Sequence, residues 1–186
     1  MRWHGRGGQG VWSISNILAE ASIKEGKYAQ SFPTFGPERM GAPVTAFTRI
    51  SDEEIYIRSG IYQPDAVVIL DSSLIGSENF VSGLKQEGTL LLNYHSGVSI
   101  RKLSELIRHD LSMYKVYVLP ATDIALKTLG RPITNTAMLG ALLKVLPVVK
   151  IESVEEIIKE RFKGPVAEKN IEILKNSYGS VAYVGD

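Results

Sequence analysis

The 186-residue chain contains no cysteine. That excludes a disulfide, a thiolate nucleophile and a cysteine-ligated iron–sulfur cluster within this chain. Histidine is almost as scarce, with His4, His95 and His109 scattered at no metal-ligand spacing, so no metal site is expected. Charge of one sign is missing too. The net charge is +1, which gives no electrostatic basis for binding nucleic acid or an anionic membrane. No apolar run approaches the roughly 18 residues of a membrane span. The opening MRWHGRGG has no apolar signal core, so the expected location is the cytoplasm. What remains is ordinary for a globular protein, with 44% hydrophobic and 22% charged residues. The length suits one domain over residues 1–186.

The pattern along the chain is that of an α/β protein. Trp3 and His4 read as the end of a short first strand. A glycine loop, GRGGQG (Gly5 to Gly10), follows and leads into a helix over Val11 to Glu25, where Val11, Ile14, Leu18 and Ala21 recur at helical spacing and Gly26 suits the C-terminus. Tyr28 to Phe32 reads as a second strand, and Pro33 to Pro43, with three prolines and two glycines, as a structured loop. Val44 to Ile50 and Ile55 to Ser59 alternate β-formers around the turn SDEE, which predicts a β-hairpin insertion. AVVILD (Ala66 to Asp71) has the continuous apolar character of a buried parallel strand.

Further strands are expected at Thr89 to Asn93 and Lys115 to Pro120, with helices around Glu78 to Lys85 and Ile100 to His109 between them. From Ala121 the text is helical: Asp123 to Leu129, Asn135 to Val145, Val154 to Phe162 and Val166 to Tyr178, with a short last strand at Val181 to Val184. This alternation predicts a mixed, mostly parallel sheet with helices on both faces.

GRGGQG fits G-x-G-x-x-G and has a strand before it and a helix after it. A nicotinamide site of this type also wants an acid about 20 residues on, at the end of the second strand. That strand ends in Gln30 and Ser31, and the nearest acids, Glu25 and Glu38, sit at a helix end and in the proline-rich loop. The dinucleotide reading is therefore set aside. The loop's physics survives: glycines free backbone N–H groups to converge, the helix N-terminus adds a positive partial charge and Arg6 adds a full one. A phosphate is the natural guest. The alternative is a tight strand-to-helix turn and nothing more.

Three other features invite the same double reading. Glu38 and Arg39 in FGPERMGAP form either a rigid salt-bridged turn or a functional loop. In PITNTAMLGALL, Thr134 or Asn135 suits a helix cap, with a ligand-facing T-N-T as the minority reading. Asp71 either acts as an acid at the carboxyl end of its strand or caps the next turn with Ser72 and Ser73. The cap is preferred, and Asp123 is similar. No catalytic residue can be nominated from spacing.

HGRGGQG, GKYAQSFPTFGPERMGAPVTAFTRI, IRSGIYQPDAVVILD and ITNTAMLGAL occur in that order. Together they resemble the gamma subunit of the pyruvate or 2-ketoisovalerate ferredoxin oxidoreductases. The resemblance runs to at least Lys150, and ESVEEIIKERF fits the family's C-terminal helix. It implies a non-redox subunit of an enzyme that decarboxylates a 2-oxoacid oxidatively with coenzyme A, giving acyl-CoA and reduced ferredoxin. Alpha, beta and delta subunits would be its partners, with thiamine diphosphate and iron–sulfur clusters carried there. The chain lacks a G-D-G followed by paired asparagines for thiamine, since its VGD is terminal.

The resemblance also implies a share in binding coenzyme A. The residues for it are Gly5, Arg6, Gly7, Gly8, Gln9 and Gly10, with the amides of Gly7, Gly8, Gln9 and Gly10 on a phosphate, and Arg39 and Asn135 as further contacts. Exposed apolar surface for partners would let the isolated chain form a homodimer. Two departures stand out. The chain begins closer to its first strand than the family does, which predicts a frayed strand, and Met40 stands where many relatives carry a second basic residue. The competing class is a nucleotide-binding regulatory module with a Rossmann-like glycine loop.

Overall fold

The structure, a computed structural model, describes residues 1–34, 40–77 and 79–185. Its strands are β1 (Arg2–Arg6), β2 (Tyr28–Pro33), β3 (Pro43–Ser51), β4 (Ala66–Ile69), β5 (Thr89–Asn93), β6 (Lys115–Leu119) and β7 (Ala182–Tyr183). Its helices are α1 (Val11–Lys24), α2 (Ile100–Ile107), α3 (Ala121–Leu129), α4 (Asn135–Val145), α5 (Ile151–Arg161) and α6 (Pro165–Ser180), with a single 3-10 turn at Ser72–Leu74. One sheet in the order β2-β3-β1-β4-β5-β6-β7 takes in every strand. β1, β4, β5 and β6 pair in parallel; β3 runs antiparallel to both β1 and β2, and β7 antiparallel to β6. The expected mixed sheet with a parallel centre is what forms.

The apolar residues explain the layers. On one face Trp3, Val68, Leu70 and Leu91 pack under α1, α4 and α6 through Ile14, Leu18, Met138, Leu142 and Ile173. On the other, Val67, Ile69, Leu90, Leu92, Val116 and Val118 meet Leu74, Phe80, Leu84 and the α2 residues Leu103 and Ile107. Both faces of β4 are thereby buried, which is why its sequence is a continuous apolar run. Each fully buried leucine or isoleucine contributes about 1.5–3 kcal/mol. α4 is apolar almost all round because it lies between the sheet and α6, and Gly140 lets the Leu174 carbonyl of α6 approach its backbone.

Several expectations are corrected. β1 is not frayed: it is paired on both sides, to β3 and β4, and Trp3 is fully buried with its indole N–H donating to Thr48 Oγ1 at 2.9 Å. Residues 55–59 are not a strand and the 44–59 hairpin does not form; β3 pairs with β2 instead. No helix occupies 79–85, where the chain runs through turns, and Glu78 lies outside the described residues. Gly26 follows α1 with φ +83, the left-handed position for which glycine is suited.

Candidate functional site

β1 ends at Arg6 and α1 begins at Val11, so residues 7–10 form the turn at the carboxyl end of a central strand. Two positions, one in the turn and one just before it in β1, require glycine. Gly10 adopts φ 71, ψ 33, and a Cβ there would lie 2.5 Å from Asn135 Nδ2. At Gly5, a Cβ would lie 2.6 Å from Val11 Cγ2, so its absence lets α1 settle onto the strand.

The backbone donors divide into two sets. Gly7 N–H donates to the Ala42 carbonyl at 2.8 Å and Gln9 N–H to the Arg6 carbonyl at 3.0 Å. These two amides are occupied by the fold, which corrects the expected phosphate set. Gly8 and Gly10, together with Val11, Trp12 and Ser13 in the first turn of α1, donate to no acceptor among the described residues. Among the described residues no side chain caps α1, and its first turn carries no acid. The positive end of a 14-residue helix therefore has no capping partner among the described residues, a setting that favours an anion.

Arg6 does not project freely. Its Nε donates to Ser73 Oγ at 3.0 Å, Nη1 donates to the Gly41 carbonyl at 2.9 Å, and Nε lies 3.5 Å from Asp71 Oδ2. Gln9 holds the same acid: its Nε2 donates to Asp71 Oδ2 at 2.6 Å while its Oε1 accepts from Arg6 N–H at 2.8 Å. Asp71 also accepts from Ser73 N–H at 2.9 Å and caps the 3-10 turn, as the sequence suggests. Burial pushes the Asp71 carboxyl up, but hydrogen bonds from Ser73 and Gln9 and the nearby Arg6 charge outweigh it and hold the carboxyl below its usual range.

The start of α4 closes one side of the loop. Thr134 does not cap it with its side chain; its hydroxyl donates to the Leu70 carbonyl at 3.3 Å, tying α4 to the end of β4. Asn135 Oδ1 accepts from Thr136 N–H at 2.8 Å, which leaves Nδ2 over Gly10. A 560 Å³ cleft runs from Gly10 and Ser13 to Arg131, Asn135 and Lys169. A second, of 310 Å³, is lined by Arg6, Gly7, Gly8, Trp12 and Val44 and shares Gly10 and Ser13 with the first. A 680 Å³ cavity around Met1, Arg49, Tyr62 and Asp65 contains none of the predicted site residues.

The structure thus brings Gly5, Arg6, Gly7, Gly8, Gln9, Gly10 and Asn135 together, while Arg39 lies outside the described residues. Asp71 as a partner of Gln9, and Trp12, Arg131 and Lys169 as lining residues, were not signalled by any motif. Among the described residues no group of three His, Cys, Asp or Glu could hold a metal, and no helix is long and apolar enough to cross a membrane.

Residues 1–180 match the family model described as pyruvate ferredoxin/flavodoxin oxidoreductase. The chain is 49% identical over 178 residues to the pyruvate/ketoisovalerate oxidoreductases common subunit gamma of Pyrococcus furiosus, covering 96% of this chain and 94% of that one. It resembles the crystal structure of pyruvate oxidoreductase subunit PORC from Thermotoga maritima with a TM-score of 0.86 and 39% identity, over 99% of this chain and 97% of that one. Its fold also matches part of a 2-oxoglutarate:ferredoxin oxidoreductase from Magnetococcus marinus, solved with 2-oxoglutarate, coenzyme A and succinyl-CoA bound, with a TM-score of 0.77 and 20% identity, over 96% of this chain and 30% of that one.

Proposed function

Since this chain belongs to the pyruvate ferredoxin/flavodoxin oxidoreductase family, we propose that it works as the gamma subunit of a 2-oxoacid:ferredoxin oxidoreductase and that its own share of the chemistry is to hold coenzyme A. The enzyme oxidatively decarboxylates a 2-oxoacid to acyl-CoA and passes the electrons to ferredoxin. Thiamine diphosphate and the iron–sulfur clusters belong to alpha, beta and delta partners in the cytoplasm. This chain has no cysteine to ligate a cluster. The match extends over residues 1–180, well beyond the glycine loop, which favours this reading over a regulatory nucleotide-binding module.

The observation that carries the coenzyme A assignment is the set of amides at Gly8, Gly10 and the first turn of α1 that have no acceptor among the described residues, beside the Arg6 guanidinium. Their chemistry fits a phosphate: donors only, with the Arg6 guanidinium nearby, its charge shared with Asp71, and no first-turn acid to repel it. Arg6 Nη2 has no acceptor among the described residues, so Arg6 can keep its bonds to Ser73 and Gly41 and still offer a donor. Asn135 Nδ2, above Gly10, is a further donor. Fixing the cosubstrate's phosphates here would orient its thiol toward a neighbouring subunit and help exclude water from the reacting centre.

The test uses the assembled complex. Arg6→Ala should raise KM for coenzyme A by about tenfold, the loss of one charge-assisted contact, with subunit composition retained. An unchanged KM removes Arg6 from the site.

A further inference from the structure

Trp12 is half exposed, at 51%, although it is one of the largest apolar side chains in the protein. The chain's other tryptophan, Trp3, is wholly buried. As the second residue of α1, Trp12 contributes its backbone N–H to the uncapped first turn, and its side chain lines the 310 Å³ cavity with Arg6, Gly7 and Gly8. The packing of α1 does not call for an indole there. The helix is buried through Val11, Ile14, Ser15, Leu18 and Ala21, on its other side. Among the described residues the indole has no aromatic or cationic neighbour, and its N–H has no acceptor.

We propose that Trp12 is the stacking platform for the adenine of coenzyme A, a role that rests on the glycine loop's holding that cosubstrate's phosphates. The cavity sets two chemistries side by side: amides and a guanidinium for phosphate, and an indole face for a flat π system. The parts of coenzyme A divide the same way. Its phosphates suit the amides, its purine is the one aromatic ring system, and its pantetheine arm has none. A volume of 310 Å³ is at the low end for small-molecule sites, which run to roughly 300–1,000 Å³. That suits one end of a long cosubstrate whose thiol reaches out to another subunit. Base–aromatic stacking is strong enough to affect affinity measurably.

The assembled complex carrying Trp12→Ala or Trp12→Phe tests this through KM for coenzyme A and through competitive inhibition by adenosine 3′,5′-bisphosphate, the nucleotide half of the cosubstrate. Trp12→Ala should raise KM and weaken the inhibition by the same factor, about tenfold, with the effect on KM rather than kcat. Trp12→Phe, which keeps an aromatic face, should restore most of the loss. An unchanged KM, unaltered inhibition, or failure of Phe to rescue overturns the stacking role. Loss of subunits from the Trp12→Ala complex on gel filtration overturns it in favour of a subunit contact. Arg6→Ala run in parallel separates the two readings. If it raises KM while Trp12→Ala does not, only the stacking role fails; if neither does, the loop's role in holding coenzyme A fails as well.

Discussion

Gln9 and Asp71, 62 positions apart in the chain, are joined by a 2.6 Å hydrogen bond in which the Gln9 amide donates and the Asp71 carboxylate accepts. The other end of the same amide accepts from Arg6 N–H. One neutral side chain thus fixes the turn after β1 to the end of β4. The amide offers a donor and an acceptor at the two ends of one short group without needing a proton.

Gln9→Glu keeps the acceptor for Arg6 N–H and sets a second carboxylate against Asp71. At pH 7.5 it should cost about 1–3 kcal/mol, read as a lower urea midpoint. A neighbouring carboxylate raises the pKa of the new acid above its unfolded value near 4.3. The deficit against wild type is therefore full above the folded-state pKa. It shrinks as pH falls and a proton restores the missing donor. A deficit constant from pH 7.5 to 4.5 would show that the pair does not hold the turn.

His4 gives the protein an acid-sensitive centre. It is buried on the face of β1 opposite Trp3, its Nε2 accepts from Arg2 Nε at 3.0 Å, and its ring meets Phe80 edge-on at 4.8 Å. With Nε2 accepting, the proton sits on Nδ1, 3.3 Å from Thr45 Oγ1. Burial, helped by the Arg2 charge, lowers its pKa from 6.5 to about 3. The unfolded state then binds the proton first, so the His4 contribution to stability is flat above pH 6.5 and falls below it, by about 1.4 kcal/mol per pH unit at the steepest. His4→Gln should start less stable at pH 8 yet lack the His4 contribution, keeping between pH 6.5 and 5 only the shallower profile left by other buried groups such as the Met1 amine, whose pKa burial lowers from 8.0 to about 5. Parallel urea-midpoint profiles for the two proteins would exclude His4 as the source.

Gly140→Ala should destabilise by about 2–3 kcal/mol, because the added methyl meets the Leu174 carbonyl and forces α4 and α6 apart. Gly179→Ala, in α6 with nothing near its would-be methyl, should stabilise by up to about 1 kcal/mol. Equilibrium denaturation of the pair separates packing from helix propensity; equal shifts would mean the α4–α6 contact is looser than described.

The parts of the fold readable in the sequence are those whose local pattern and tertiary setting agree. β4 and β5 are apolar runs because they are buried on both faces, and α1 shows its buried stripe directly. Residues 55–59 mislead because Ile55, Tyr56 and Ile57 look like a strand. Their carbonyls are claimed by side chains instead. Gln30 Nε2 donates to Ile55 O, and the Arg49 guanidinium donates to Ile57 O and Ser59 O, so the segment lies against the sheet and does not extend it. Residues 79–85 mislead for a similar reason: Arg2 takes the Phe80 and Ser82 carbonyls that a helix would have used. At the site, the loop and Asn135 were legible as motifs. The Gln9–Asp71 pair was not, because a hydrogen bond across 62 positions leaves no periodic trace.

The position of β1 has a consequence for how the chain is made. β1 is flanked by β3 and β4, so its neighbours are complete only when synthesis has passed Ile69. Until then Trp3 has no shelter, and the glycine turn has neither Ala42 nor Asp71 to fasten it. Early folding is thus a wait, in which a nascent apolar segment is open to chaperones and to pairing with other chains. The glycine loop sets only after Asp71 is in place.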